Sequence, residues 1–439
     1  MTQPLERALH EMHEHLWDDD RSMVRLYGLF LVRETALGAF LDLENGNVER
    51  AQRALREVLK HQYAVDSDPR WAGTFKTHAA QPDAGTLDLD NKPRDREWRD
   101  YDPNWRQFMA MILEIITRLY GHVLSESLVA SLRAAVQLAV RSEPVDRVSP
   151  TYSNIALLQA WLCDITTDNA NPWLQGVAGQ VAVDRDIAEY NSPTYDAVSL
   201  LAACLLVDYS RTDDARRLGG TVTTCVTQRI SQIWHPRFGL QAGPYSRAYG
   251  ADPRKYICLM SVLMGALDVP AAGPGRLDEN TTHVHDLYFW PVFRRVCGGL
   301  RSMLAPASVD QARRYEHRCG EVHSISLLEP NAAIGWETGR RQRFALDQYA
   351  PFTYYSVDGF LALRARGDTD WVDVEEVDRH VYRIRTQRRM SPDVTHETAA
   401  LTVVASKSPV INDNELLFGE VTLQFPGIVI EVRVAPPSG

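Results

Sequence analysis

Helical periodicity over the first two thirds of the chain and strand alternation over the last third predict a mainly α plus β fold. An N-terminal (α/α) toroid, an incomplete barrel of helical hairpins over residues 1–300, is followed by a C-terminal antiparallel β-sandwich over 320–439. The first observation is a run of apolar faces at 3.6-residue spacing with short loops between them, which makes neighbouring helices antiparallel. The second is a switch, after the Ala271-Ala272-Gly273-Pro274-Gly275 break, to short alternating segments rich in β-branched and aromatic residues. The third is a repeat. Ser149-Pro150-Thr151-Tyr152 recurs as Ser192-Pro193-Thr194-Tyr195, 43 residues on, and Leu157, Leu158, Ala160 and Leu162 match Leu200, Leu201, Ala203 and Leu205. Such a period means helical hairpins stacked on a shared core; closing them into a ring brings alternate helix starts to one funnel.

Taken in order, helices are predicted over 5–17, 23–43 and, after Asn45-Gly46-Asn47, 48–63. Residues 64–103, rich in Asp, Pro and Gly, read as a functional or a disordered loop; Trp71 and Trp98, with Trp105 beyond, read first as packed residues, with the lining of a sugar-binding groove as the alternative. Further helices are predicted over 105–120, 125–142, 153–167, 172–189, 193–209, 212–233 and 252–267, with Ser192 as N-cap and Pro193 in the first position of its helix. In Thr282-His283-Val284-His285-Asp286 the alternation predicts a strand that points both imidazoles one way. Two histidines with no evident third ligand predict a polar or substrate-binding role and no metal. The strands expected over 352–356, 359–365, 381–386, 399–405, 419–424 and 427–434 carry no catalytic motif and serve as support.

Composition narrows the function. A net charge of −10 excludes a nucleic-acid or membrane-surface binder, since phosphate contacts need clustered Lys and Arg. No run of 18 apolar residues predicts a membrane span, and the start, Met-Thr-Gln-Pro-Leu-Glu-Arg, lacks the basic and apolar regions of a secretory leader, so a cytoplasmic protein is expected. The six cysteines are widely spaced and read as reduced core residues, without zinc spacing. The oligomeric state is not legible.

The chemistry concentrates at two turn-like stretches. In the first, Glu189-Tyr190-Asn191-Ser192-Pro193-Thr194-Tyr195, the residues Asn191 and Tyr195 flank a helix N-terminus, where unpaired N–H groups and the macrodipole favour an anion; Asn154 follows the equivalent start one repeat earlier. In the second, His235 precedes Tyr245, Arg247 and Tyr249 among Gly239, Gly243 and Gly250, and a guanidinium beside a phenol favours phenolate. The run Tyr245-Ser246-Arg247-Ala248-Tyr249-Gly250, with His235 and Asn191 upstream, resembles the active-site order of the hyaluronate and chondroitin lyases, within the wider group that includes alginate and heparin lyases. That resemblance implies a toroid followed by β-sheets and β-elimination on a uronate-containing oligo- or polysaccharide without a cofactor. It also implies that Asn191 holds the carboxylate, His235 helps remove the C5 proton and Tyr245 protonates the leaving oxygen. Tyr249 joins this catalytic set, with Arg247, Asn154, Tyr195, Glu189, His283 and His285 as substrate-binding candidates. For the family's downstream arginine, Arg294 and Arg295 are the available candidates.

Three other readings compete. A glycoside hydrolase needs a carboxyl pair, for which Glu189, Asp196 and Asp286 are available. A dehydratase or isomerase predicts an apolar pocket of Trp161, Phe289 and Trp290. A carbohydrate-binding protein would use the groove without turnover.

Overall fold

The computed structural model describes residues 2–87, 97–167, 171–250, 252–275, 277–340, 348–357, 359–366, 372–386, 389–396, 402–412 and 415–434. Helix α1 (Thr2–Leu16) leads into a small antiparallel sheet of β1 (Trp17–Asp18), β2 (Met23–Leu26) and β3 (Leu29–Leu31). The helix expected over 23–43 therefore begins only at residue 32. Tyr27 and Gly28, with φ of 56° and 75°, make the two-residue turn that pairs β2 with β3, a conformation that suits Gly and carries the right hand for a hairpin.

Eight helices then alternate in character. The members α2 (Val32–Glu44), α4 (Trp105–Tyr120), α6 (Ser153–Thr166) and α8 (Asp196–Tyr209) are buried nearly all round. Their partners α3 (Val48–Leu59), α5 (Glu126–Arg141), α7 (Pro172–Asp184) and α9 (Asp213–Ile233) bury a single stripe. Each fully buried helix packs on the next, α10 (Leu259–Ala266) follows, and α11 (Trp290–Val296) lies against both α8 and α2. One apolar cluster from Leu9 to Leu304 fills this part. No helix among the described residues is long and apolar enough to cross a membrane, and all six cysteines are free.

Strands β6 (Arg313–Cys319), β7 (Val322–Glu329), β8 (Ala332–Thr338), β9 (Phe352–Ser356) and β10 (Gly359–Arg366) continue through β11 (Val372–Asp378), β12 (Val381–Thr386), β13 (Arg389–His396), β14 (Thr402–Asn412), β15 (Glu415–Phe425) and β16 (Ile428–Val434). They form one sheet in the order β11-β12-β16-β15-β13-β10-β9-β8-β7-β6, with β14 also paired to β15. Every neighbour pair is antiparallel except β12 and β16, which run parallel. Trp336 and Phe352, from β8 and β9, meet the Tyr382 ring of β12 with centroids 5.1 and 5.0 Å apart, so widely separated strands of the sheet share one core.

The segment 234–250, which opens with β4 (Trp234–His235) and β5 (Leu240–Gln241), joins the two parts. Tyr245 and Ala350 exchange both backbone hydrogen bonds, Ser326 Oγ donates to the Gly243 carbonyl at 2.6 Å, and Leu240, Tyr245 and Ala248 share a cluster with Ala333, Tyr355 and Phe360. Gly335 lies so close that an added Cβ would overlap the Gly243 carbonyl. Gly335→Ala is expected to lower the unfolding free energy by roughly 1–3 kcal/mol, the usual cost of overpacking, as measured by urea denaturation.

Candidate functional site

The buried helices begin at one polar ring. Arg33 lies in the first turn of α2, Asn104 and Trp105 at the start of α4, Tyr152 before α6 and Tyr195 before α8. The Arg33 guanidinium sits 5.7 Å over the Trp105 ring and reaches Asp286 at 3.4 Å. Asp286 faces His283 and His285 at 3.9 and 3.5 Å. His283 stacks on Tyr249 with centroids 4.8 Å apart and planes 5° from parallel. The Tyr249 and Tyr195 hydroxyls bond each other, Arg247 Nη2 donates to the Tyr195 hydroxyl at 3.1 Å and to the Tyr152 hydroxyl at 3.5 Å, and Asn104 Nδ2 donates to Tyr152 at 2.8 Å. Asn104 precedes Trp105, and the circuit closes.

The sequence repeat has its meaning here. Tyr152 and Tyr195, the equivalent tyrosines of the two Ser-Pro-Thr-Tyr turns, both lie against Arg247, whose Cζ is 5.1 and 3.9 Å from their ring centroids. Arg247 Nη1 pairs with Glu189 Oε1 at 2.9 Å, Nε donates to Gln348 at 2.6 Å, and the other Glu189 oxygen accepts the backbone and side-chain N–H groups of Asn154. Burial works against the charge of Arg247, yet Tyr195, Tyr152 and Glu189 together hold its pKa well above the ordinary arginine value. For the phenols the balance reverses. Burial raises the pKa of Tyr195 and of Tyr249 despite the guanidinium, so neither is a resting phenolate, contrary to the expectation from the sequence. Burial also lowers the pKa of His283, which is neutral at neutral pH, and raises that of Asp102, whose carboxylate accepts the Asn104 N–H at 2.9 Å.

Of the expected site residues, Tyr249, Arg247, Tyr195, Asn154, Glu189, His283 and His285 come together. Tyr249 is 40% exposed and His283 and His285 are partly exposed; the others stand behind them as buried support. The trio Asn191, His235 and Tyr245 is placed differently. Asn191, buried at φ 54°, donates to the Ala242 and Pro244 carbonyls at 2.8 and 2.7 Å and accepts from Gln241 at 2.6 Å. His235 Nε2 donates to the Glu329 carbonyl at 2.8 Å. The Tyr245 hydroxyl donates to the Gln241 carbonyl at 2.7 Å and meets Tyr355 at 2.8 Å, with the residue only 2% exposed. These groups use the bonds named to fasten the 234–250 segment, and all three are buried away from any substrate.

Other expectations also change. Glu189 and Asp196 are buried and ion-paired, Asp196 to Arg229 at 2.8 Å, so neither is an open carboxyl. Trp161, Phe289 and Trp290 are buried core residues. Trp71 packs on Tyr101 and Trp105 under Arg33, leaving Trp98 as the exposed tryptophan of the three; residues 88–96 of that loop lie outside the described residues. Arg294 and Arg295 sit on α11, Arg294 over Trp290 and near Asp268. His283 adopts φ 59° before a 3-10 turn over Val284–Phe289, so its segment is not a strand. Arg33 was missed because it falls inside a predicted helix, and Asp102 and Asn104 because the helix start at Pro103-Asn104-Trp105 reads as scaffold, whereas Tyr152 stood within the repeat.

Tyr245→Phe is expected to lower the unfolding free energy by about 1–2 kcal/mol, since it strands a buried carbonyl. Tyr249→Phe, which takes one partner from the buried Tyr195 hydroxyl but leaves it the Arg247 donor, should lower the unfolding free energy by no more than about 1 kcal/mol in the same denaturant titration.

A family profile described as "Domain of unknown function (DUF8769)" matches residues 32–296. That span runs from the start of α2 to the end of α11 and holds Arg33, Tyr152, Tyr195, Tyr249 and Asp286 alike. No curated protein matches the chain.

Proposed function

We propose that this chain, which belongs to the family whose profile spans the polar ring, is a lyase that performs β-elimination on a uronate-containing oligosaccharide, with Tyr249 as its proton-handling group. The observation that carries the reading is the part-exposed Tyr249 side chain, its hydroxyl tied through Tyr195 to the buried Arg247 at the meeting point of four helix starts. Those starts turn the positive ends of helix dipoles toward the ring, which favours an anionic substituent. The alternation of fully buried and one-faced helices, with α11 against both α8 and α2, supports reading the helical part as an (α/α) toroid and the strands as a sandwich that walls one side.

In this reading the proton on the carbon next to the carboxylate passes to a base at the polar ring. The electron pair left behind forms the carbon–carbon double bond as the bond to the glycosidic oxygen breaks, and that oxygen takes a proton from Tyr249. Fixed donors are needed because charge develops on the carboxylate in the transition state. The mechanism thus keeps the chemistry that the sequence resemblance implies and moves it from Tyr245, His235 and Asn191 to the residues that face solvent.

A second reading has one observation in its favour. Asp102, raised above its ordinary value by burial, and Asp286 both stand near enough to Tyr249 to perturb it, and two carboxyls at one site are the equipment of a glycoside hydrolase.

Incubation with uronate oligosaccharides decides between them. Elimination yields an unsaturated product seen as a rise in ultraviolet absorbance; Tyr249→Phe should cut its rate by at least ~100-fold, while folded Tyr245→Phe retains most of it. Release of reducing sugar without that absorbance, abolished by Asp102→Asn, would move the assignment to hydrolysis. Full elimination activity in Tyr249→Phe would remove the tyrosine mechanism.

A further inference from the structure

Each arginine of the ring is already matched by a carboxylate. Arg33 bonds Glu34 at 2.6 and 2.9 Å as well as reaching Asp286, Arg147 pairs with Glu143 at 2.5 Å, and Arg247 pairs with Glu189. Asp102 adds a further carboxyl, so the ring is rich in acid and has no arginine to spare among those named. On its open side stand three groups of another kind. His283, His285 and Asp286 bring one ligand-type atom each to within 4.8 Å of one another. His283 Nδ1 lies 3.9 Å from Asp286 Oδ2, and His285 Nε2 lies 3.5 Å from Asp286 Oδ1.

Three details distinguish this cluster from an ordinary polar surface. His283 Nδ1 is buried and has no hydrogen-bond partner, an unmet requirement that native interiors rarely leave standing. His285 Nδ1 is in hydrogen-bond contact with the Tyr27 hydroxyl at 3.4 Å, which leaves Nε2 to face Asp286. The second nitrogen of a metal-binding imidazole is commonly held in this way, and its carboxylate neighbour is commonly steadied by a donor, the place Arg33 occupies here. Ligands of a tetrahedral zinc ion lie about 3.3–3.4 Å apart, given bonds of about 2.0–2.1 Å to nitrogen and oxygen. The observed separations are wider by less than about 1.5 Å, within reach of side-chain rotation.

We propose that His283, His285 and Asp286 form a divalent transition-metal site, with zinc as the natural occupant of a two-imidazole, one-carboxylate set. Three protein ligands leave coordination open toward the Tyr249 side, as in a site that receives a substrate. A metal there would hold the substrate's carboxylate, the task for which the ring offers no unpaired guanidinium. That use rests on the elimination reading, whereas the binding itself does not, because it is measured with metal alone.

The test is titration of chelator-treated, dialysed full-length protein with Zn²⁺ by calorimetry and with Co²⁺ by visible absorption. One equivalent should bind, and His283→Ala and His285→Ala, shown folded by circular dichroism, should each weaken it by at least about 100-fold. Tyr27→Phe should weaken it less. Absence of stoichiometric binding to the folded parent protein would overturn the site. So would binding unchanged in both histidine variants, or a Co²⁺ spectrum with thiolate charge-transfer bands, which would place the ion at cysteine. Stoichiometric binding with no ultraviolet-absorbing product from any uronate oligomer would keep the site and remove only its role in elimination.

Discussion

A guanidinium taken out of water must find its counter-charge and its hydrogen bonds inside the protein, and Arg247 does so by drawing distant parts of the chain around it. Glu189 supplies the charge, Gln348 and two tyrosine hydroxyls supply acceptors, and the rings of Tyr152 and Tyr195 lie against the guanidinium plane. Glu189 is in turn satisfied by Asn154. The loop before α8, the start of α6, the segment leading from β5 and the region before β9 are thereby held in one geometry. Removing Glu189 would leave a buried charge uncompensated and removing a neutral partner would leave a buried donor without its acceptor, which is why the arrangement holds as a unit.

The same short segment does two jobs, and the division follows from what each side chain faces. Tyr245 turns into the junction with the sheet, where it meets Tyr355 and the Gln241 carbonyl, while Tyr249, four residues on, turns out over His283. Asn191 stabilises this path by accepting one hydrogen bond and donating two to the backbone around Pro244, at a left-handed φ that asparagine tolerates better than most residues. The groups that fix the segment are spent on fixing it. Those that remain open are the ones the segment presents.

Charge is distributed by the same logic. Deep in the helical part, Arg229 bridges Asp186 and Asp196, so the turn before α8 is locked from below as well as from the ring. At the ring itself the arginines and carboxylates are matched, and the helix starts add their own positive ends. The polar surface left over is made of phenols and imidazoles, groups suited to moving a proton or holding a metal more than to holding an anion by charge alone.

Period and composition sufficed for much of this. Helix extents over 105–166 and 196–233 follow closely from apolar spacing, whereas those predicted over 172–189 and 252–267 run several residues too long and Trp290–Val296 is not foreseen; the step to strands follows from alternation and the break at 271–275, and the 43-residue repeat marked Tyr152 and Tyr195 as equivalent before their shared partner was known. Local pattern failed where a turn overrode it, as at Tyr27 and Gly28, or where a left-handed residue redirected the chain, as at His283. What no one-dimensional pattern contains is the direction of each side chain. Tyr245 and Tyr249 have the same chemistry and nearly the same neighbours in sequence; one is sealed against the sheet and the other is open, because packing between α8, the 234–250 segment and β9 decides which face meets water. Arg33 and Asp286 likewise meet across 253 residues only because α11 returns to α2. Residue types and helix starts are properties of the sequence; burial, and with it which groups are free to act, belongs to the tertiary structure.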